Sequence, residues 1–160
     1  MWPIISNRDV LAVNQRWAGH PGTRLGYTGA VNGNVGNSSQ TWAKPLGNTS
    51  FAVLFMSTGP GESPHLRPFC SQRTNRSRAV RCVPEPANFS LPIQNVSGHL
   101  TKGGGKICVR DLYTKAESGP LDATLPLTAV AAPHDSVFLC VRPAVGGGCA
   151  SHGGCPAYPA

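Results

Sequence analysis

Glycine and proline recur so closely along this chain, 19 and 15 times in 160 residues, that few stretches remain in which a helix of several turns can run without a breaker. Charged residues, from which surface helices draw their polar face, make up only 13%. Together these features point to short strands joined by turns. A chain of this length fits one domain that buries about 68–70% of its unfolded surface, enough for a packed core. The longest apolar run, residues 51–56, is far below the roughly 20 residues that span a bilayer as a helix, so no membrane partner is expected.

One helix is expected, near the start. Ser6 is placed as its N-cap with Asp9 three residues on, Ile5 can staple against Val10, and Val10, Leu11 and Val13 give it an apolar side. Gly19, Pro21 and Gly22 should stop it near Trp17. Residues 26–39 form a connection rich in Gly and Asn. Strands are expected at 40–46, 51–57, 88–94, 106–113, 123–130 and 136–141, the second of them apolar throughout and so buried on both faces. Residues 59–86, which hold five Arg, five Pro and two Cys, read as an excursion from the strands. The Gly-rich residues 144–160 read as a flexible tail.

Five N-x-S/T sequons, at Asn37, Asn48, Asn75, Asn88 and Asn95, together with six cysteines, belong to an exported chain. Residues 1–10, MWPIISNRDV, do not read as a signal peptide, because Pro3, Arg8 and Asp9 interrupt the apolar run. Whatever directs export is therefore expected upstream of Met1 or is missing. The preferred disulfides are Cys70 with Cys82 across the excursion, Cys108 with Cys140 between neighbouring strands, and Cys149 with Cys155 within the tail. Cys149 and Cys155 flank His152, but a fourth zinc ligand is not evident, and no metal is expected.

Residues 4–22, IISNRDVLAVNQRWAGHPG, resemble the segment with which the catalytic barrel ends in secreted α-galactosidases of the melibiase type, glycoside hydrolase family 27. Val109, Arg110, Asp111, Leu112 and Tyr113, then Gly119, then Pro133 and His134 before a last strand, resemble the family's final hairpins. The resemblance covers residues 4–22, 40–57 and 88–142. It implies a mainly β fold: a C-terminal antiparallel β-sandwich at 23–143, with an insertion at about 59–86, preceded by the last helix of a (β/α)8 barrel whose remainder is absent, at 1–22. Arg16 stands where many members have Asp, and Trp17 to Gly22 replace a commoner proline-led turn, which implies a divergent branch. The family's two catalytic aspartates lie on barrel strands that would precede Met1, and neither carries over. Retaining hydrolysis of terminal α-linked galactose, without a cofactor, is what the resemblance implies for a whole enzyme, with this segment bracing the barrel in a secreted, lysosomal or vacuolar protein. Val10, Leu11 and Val13 would then lack their covering surface here, and the helix is expected to be frayed or sticky.

The chain offers no catalytic pair of its own. Retaining glycosidases need two carboxyl groups about 5–5.5 Å apart, and the seven acids are Asp9, Glu62, Glu85, Asp111, Glu117, Asp122 and Asp135. Asp9 reads as a helix-start residue, Asp111 as part of the matched strand, and Asp122 and Asp135 as turn formers. His134, Asp135 and Ser136 hold triad side-chain types but, as sequence neighbours, read as a turn. Gly103 to Lys106 is followed by Ile107 where a phosphate loop needs Ser or Thr, and reads as a hairpin loop. The net charge of +7 includes Arg67, Arg73, Arg76, Arg78 and Arg81, which read first as solvated charges on a glycosylated, disulfide-tied surface insertion and alternatively as a loop that grips sulfated or carboxylated polysaccharide. Nucleic acid is not expected, because stacking aromatics are absent around that cluster. Trp42 and Tyr113 can be read as a sugar-stacking platform or as core. Two other functions stay open: a free-standing carbohydrate-binding β-sandwich, and a polyanion-binding module built on the Arg cluster.

Overall fold

The computed structural model describes residues 6–28, 38–47, 49–59, 86–96, 105–149 and 155. Among them, helix α1 (Arg8–Gln15) is followed by β1 (Thr23–Thr28), β2 (Ser38–Gly47), β3 (Ser50–Gly59), β4 (Ala87–Leu91), β5 (Lys106–Asp111), β6 (Glu117–Asp122), β7 (Leu127–Ala131) and β8 (Ser136–Pro143). Six strands make one antiparallel sheet in the order β1-β2-β3-β8-β5-β6, and β4 pairs with β7 in a second. The expected mainly β, antiparallel fold with one helix is the fold observed.

Strand alternation divides the larger sheet's side chains between two covers. On the inner face Val53 and Phe55 of β3, Ile107 and Val109 of β5, and Leu139 and Val141 of β8 meet Phe89 and Leu91 of β4 and Leu127 and Ala131 of β7. The Phe55 and Phe89 rings lie 5.0 Å apart at their centroids. On the outer face Leu46, Ala52, Leu112 and Cys140 are buried with Val13 of α1, and Val10 packs against them. The apolar run at 51–57 is thus explained by burial under the small sheet on one side and, at Ala52, under α1 on the other, with Leu54 and Met56 half-buried.

Several local expectations are corrected. The N-cap is Asn7, not Ser6: its Oδ1 accepts the amide hydrogens of Asp9 and Val10. Residues 123–126 turn rather than extend, so β7 begins at Leu127, and β4 gives way to a 3₁₀ turn, Ile93–Asn95, after Pro92. Two edge strands were not anticipated. β1 is exposed along its whole length and holds Gly26, while β6 contains Gly119 and Pro120, so neither shows the alternation that marks a half-buried strand. The 60–85 part of the excursion lies outside the described residues.

The disulfides also differ from expectation. Cys108 bonds Cys149, and Cys140 bonds Cys155. Cys108 and Cys140 do lie on adjacent strands, but Cys108 faces Arg142 and Cys140 faces Arg110, so the two cysteines are diagonal. Diagonal neighbours stand roughly 7–8 Å apart, beyond the reach of a disulfide. What brings Cys149 back over β5 is a tight turn after β8. Val145 and Gly148 exchange two backbone hydrogen bonds of 3.1 Å, and Gly146 and Gly147 between them both take positive φ, 62° and 80°. That is the backbone of a hairpin turn whose two central positions favour glycine. Cys70 and Cys82 lie outside the described residues.

Candidate functional site

Helix α1 is bound to the sheet at both ends. Near its start the Asn7 Nδ2 donates to the Leu112 carbonyl at 2.7 Å, and the buried Asp9 carboxylate takes the Arg110 guanidinium at 3.1 Å. At its end the Lys44 ammonium donates to the carbonyls of Val13 and Asn14, at 2.8 and 2.7 Å, where the helix leaves acceptors open and carries partial negative charge. The expectation of a frayed helix is therefore corrected, because Val10 and Val13 have the outer face of the sheet as their cover. Leu11 and Trp17 remain 38% and 69% exposed.

The five described carboxylates each have a local task. Asp9 pairs with Arg110, and Glu117 with Arg142. Asp111 accepts the amides of Tyr113 and Thr114 at 2.8 and 2.9 Å, shaping the turn after β5. Asp122 accepts the Thr124 amide at 2.8 Å and its hydroxyl at 2.7 Å, and these two bonds, the amide first, hold its pKa below the usual 3.8. Asp135 accepts the amide of Ser136 at 2.7 Å. Glu62 and Glu85 lie outside the described residues.

Other residues singled out in the sequence fall as follows. Asn88 and Asn95 are exposed, while Asn37, Asn48 and Asn75 lie outside the described residues. So do Arg67, Arg73, Arg76, Arg78, Arg81 and His152. Cys149 and Cys155 go to separate disulfides, and the Glu117 carboxylate lies close to the sulfurs of Cys108 and Cys149. Trp42 and Tyr113 have different partners. Tyr113 packs on Phe138, with ring centroids 6.2 Å apart, and its hydroxyl meets that of Ser136 at 3.0 Å. Trp42 faces Arg24 across the β1–β2 pairing, with Tyr27 beside them. Arg24 and Tyr27 escaped notice because nothing in TRLGYT announces a strand.

No protein-family model matches this sequence, and no curated protein matches it either. Solved structures do. The α-galactosidase I of Mortierella vinacea matches 87% of this chain at 19% identity and a TM-score of 0.54, over 27% of its own length. The α-galactosidase of Saccharomyces cerevisiae matches 89% at 16% identity and a TM-score of 0.58, over 37% of its length, and its structure with raffinose matches at 0.55. The chain thus spans about a quarter to somewhat over a third of these enzymes. At such identities the likeness is one of fold, and it agrees with the resemblance read from the sequence.

Proposed function

We infer that this chain is the β domain of an exported glycoside hydrolase of the α-galactosidase kind, and that it braces a catalytic barrel instead of carrying the reaction. The observation behind this reading is the extent of the match: most of the chain, 87–89% of it, corresponds in fold to a minor part of each α-galactosidase. In the family that the sequence resembles, two aspartates on barrel strands perform a retaining displacement at terminal α-linked galactose, so α-galactosides would be met through the barrel. The exposed Leu11 and Trp17, on and just beyond α1, supply apolar surface for such a neighbour. Two disulfides among the described residues support an oxidising compartment, hence a secreted, lysosomal or vacuolar location. A free-standing carbohydrate-binding domain is the second reading, favoured by the exposed ring pair at β1 and β2.

The test is hydrolysis of an aryl α-galactoside by residues 1–160 alone. The expected result is no turnover above the uncatalysed rate. Turnover that disappears when one of the seven carboxylates is replaced would overturn the assignment of catalysis to another part of the enzyme.

A further inference from the structure

The outer corner of the large sheet carries a patch that the hydrolase reading does not use. In the β1–β2 pairing Arg24 stands opposite Trp42 and Tyr27 opposite Gln40. Residues opposite one another in an antiparallel pair share a face, as do residues two apart in one strand, so Gln40 and Trp42 place all four side chains together. Arg24 and Tyr27, three apart, would point to opposite faces in a regular strand. The register shift between Arg24 and Gly26 inserts one residue and turns both to the same side.

The result is an assembled surface. The Arg24 guanidinium carbon lies 5.4 Å from the Tyr27 ring centroid and 6.0 Å from that of Trp42. Trp42 Nε1 donates to Gln40 Oε1 at 3.0 Å, which fixes the indole. Both rings are open to solvent, Tyr27 at 51% and Trp42 at 38% exposure. No Asp or Glu occurs in β1, β2 or β3, so these strands offer Arg24 no carboxylate partner.

We propose that Arg24, Tyr27, Gln40 and Trp42 form a binding site for a uronate-containing polysaccharide. The aromatic faces take the C–H face of a pyranose ring, and the planar guanidinium, oriented by the two rings, takes the sugar carboxylate through paired N–H donors. Gln40 offers its amide nitrogen to a sugar hydroxyl. A nucleic acid would also bring rings and negative charge, but it is held through many cations along the phosphate backbone. Among the described residues Arg24 is the patch's one cation, and Lys44, further along β2, is occupied at the end of α1. The site does not depend on the hydrolase reading, since it stands on exposed side chains of the β domain itself.

The experiment is calorimetric titration of the full chain with oligogalacturonate, with its methyl-esterified form as a neutral isostere and with a short oligothymidylate. The account expects binding to oligogalacturonate above both comparators. Tyr27→Ala and Trp42→Ala should each weaken it about tenfold, the size of one lost ring contact. Arg24→Gln should abolish the preference for the free acid over the ester. Arg8→Gln removes the same charge on α1 and should leave affinity unchanged. All four positions are exposed, and unchanged thermal midpoints verify that any loss is local. Absence of binding, equal affinity for acid and ester, tighter binding of oligothymidylate, or an Arg8→Gln effect as large as that of Arg24→Gln would each overturn the proposal.

Discussion

A variant with Cys108, Cys140, Cys149 and Cys155 all replaced by serine is expected to be largely unfolded at room temperature. The two bonds close segments of 41 and 15 residues. In the chain-entropy model such closures are worth about 4 and about 3 kcal/mol. Domains of this size are stable by about 5–15 kcal/mol in total, so losing both, about 7 kcal/mol, removes all of the margin at the lower end of that range and about half at the upper. Packing losses add to this, because Cys108 and Cys140 are fully buried and Cys155 belongs to the cluster beneath α1. Urea unfolding followed by circular dichroism checks the result. The single-pair variants Cys108→Ser/Cys149→Ser and Cys140→Ser/Cys155→Ser should stay folded with lowered midpoints, and a quadruple variant that keeps the parental midpoint would refute the estimate.

Replacing Glu117 with alanine is expected to cost about 3 kcal/mol, because it strands a buried charge. Arg142 stands on β8 opposite Cys108 and is only 2% exposed. Its Nη2 bonds Glu117 on β6, while its Nη1 is buried without a partner among the described residues. Since the Glu117 side chain is 25% exposed, water reaches part of the pair and the cost falls at the low end of the range for breaking a buried ion pair. The pairing is costly to break but need not be worth much in total, because the unbonded Nη1 already bears a desolvation penalty. The double variant Glu117→Leu/Arg142→Met should therefore recover most of the loss. Thermal and urea midpoints of the single and double variants decide the matter: a loss below about 0.5 kcal/mol for Glu117→Ala would place the pair with ordinary surface salt bridges.

These two expectations rest on features that the sequence held back. The apolar run now in β3 announced a buried central strand, because burial imposes a residue pattern that can be read directly, whereas VRDLY with the Pro-His turn pointed to the closing hairpins only through the resemblance to glycoside hydrolase family 27. The edge strands carried no such pattern, since β1 is solvated along its length and β6 is interrupted by Gly119 and Pro120. Cysteine pairing depended on register, and a two-residue offset between Cys108 and Cys140 cannot be seen without knowing that Val109 faces Val141. The same applies to the site residues. Trp42 was visible as an aromatic, but its partners Arg24 and Tyr27 come together only through a bulge. Arg142 sat in an unremarkable Val-Arg-Pro, and only the sheet order shows that Glu117 lies one strand beyond its neighbour β5. The helix was legible from its breakers and its apolar positions, yet the surface it covers was not, because Lys44, Arg110 and Leu112 reach it from distant parts of the chain.

The central claim, that this chain serves as the β domain of an α-galactosidase-like enzyme, is tested most directly by a chimaera. In it the chain replaces the matching part of the Saccharomyces cerevisiae α-galactosidase, the segment that accounts for 37% of that enzyme's length. The measurement is the initial rate of aryl α-galactoside hydrolysis by the purified, folded chimaera beside the same barrel with no β domain. A rate restored well above that of the barrel alone is the result predicted. A chimaera that folds, keeps both disulfides and is no more active or stable than the bare barrel would contradict the account.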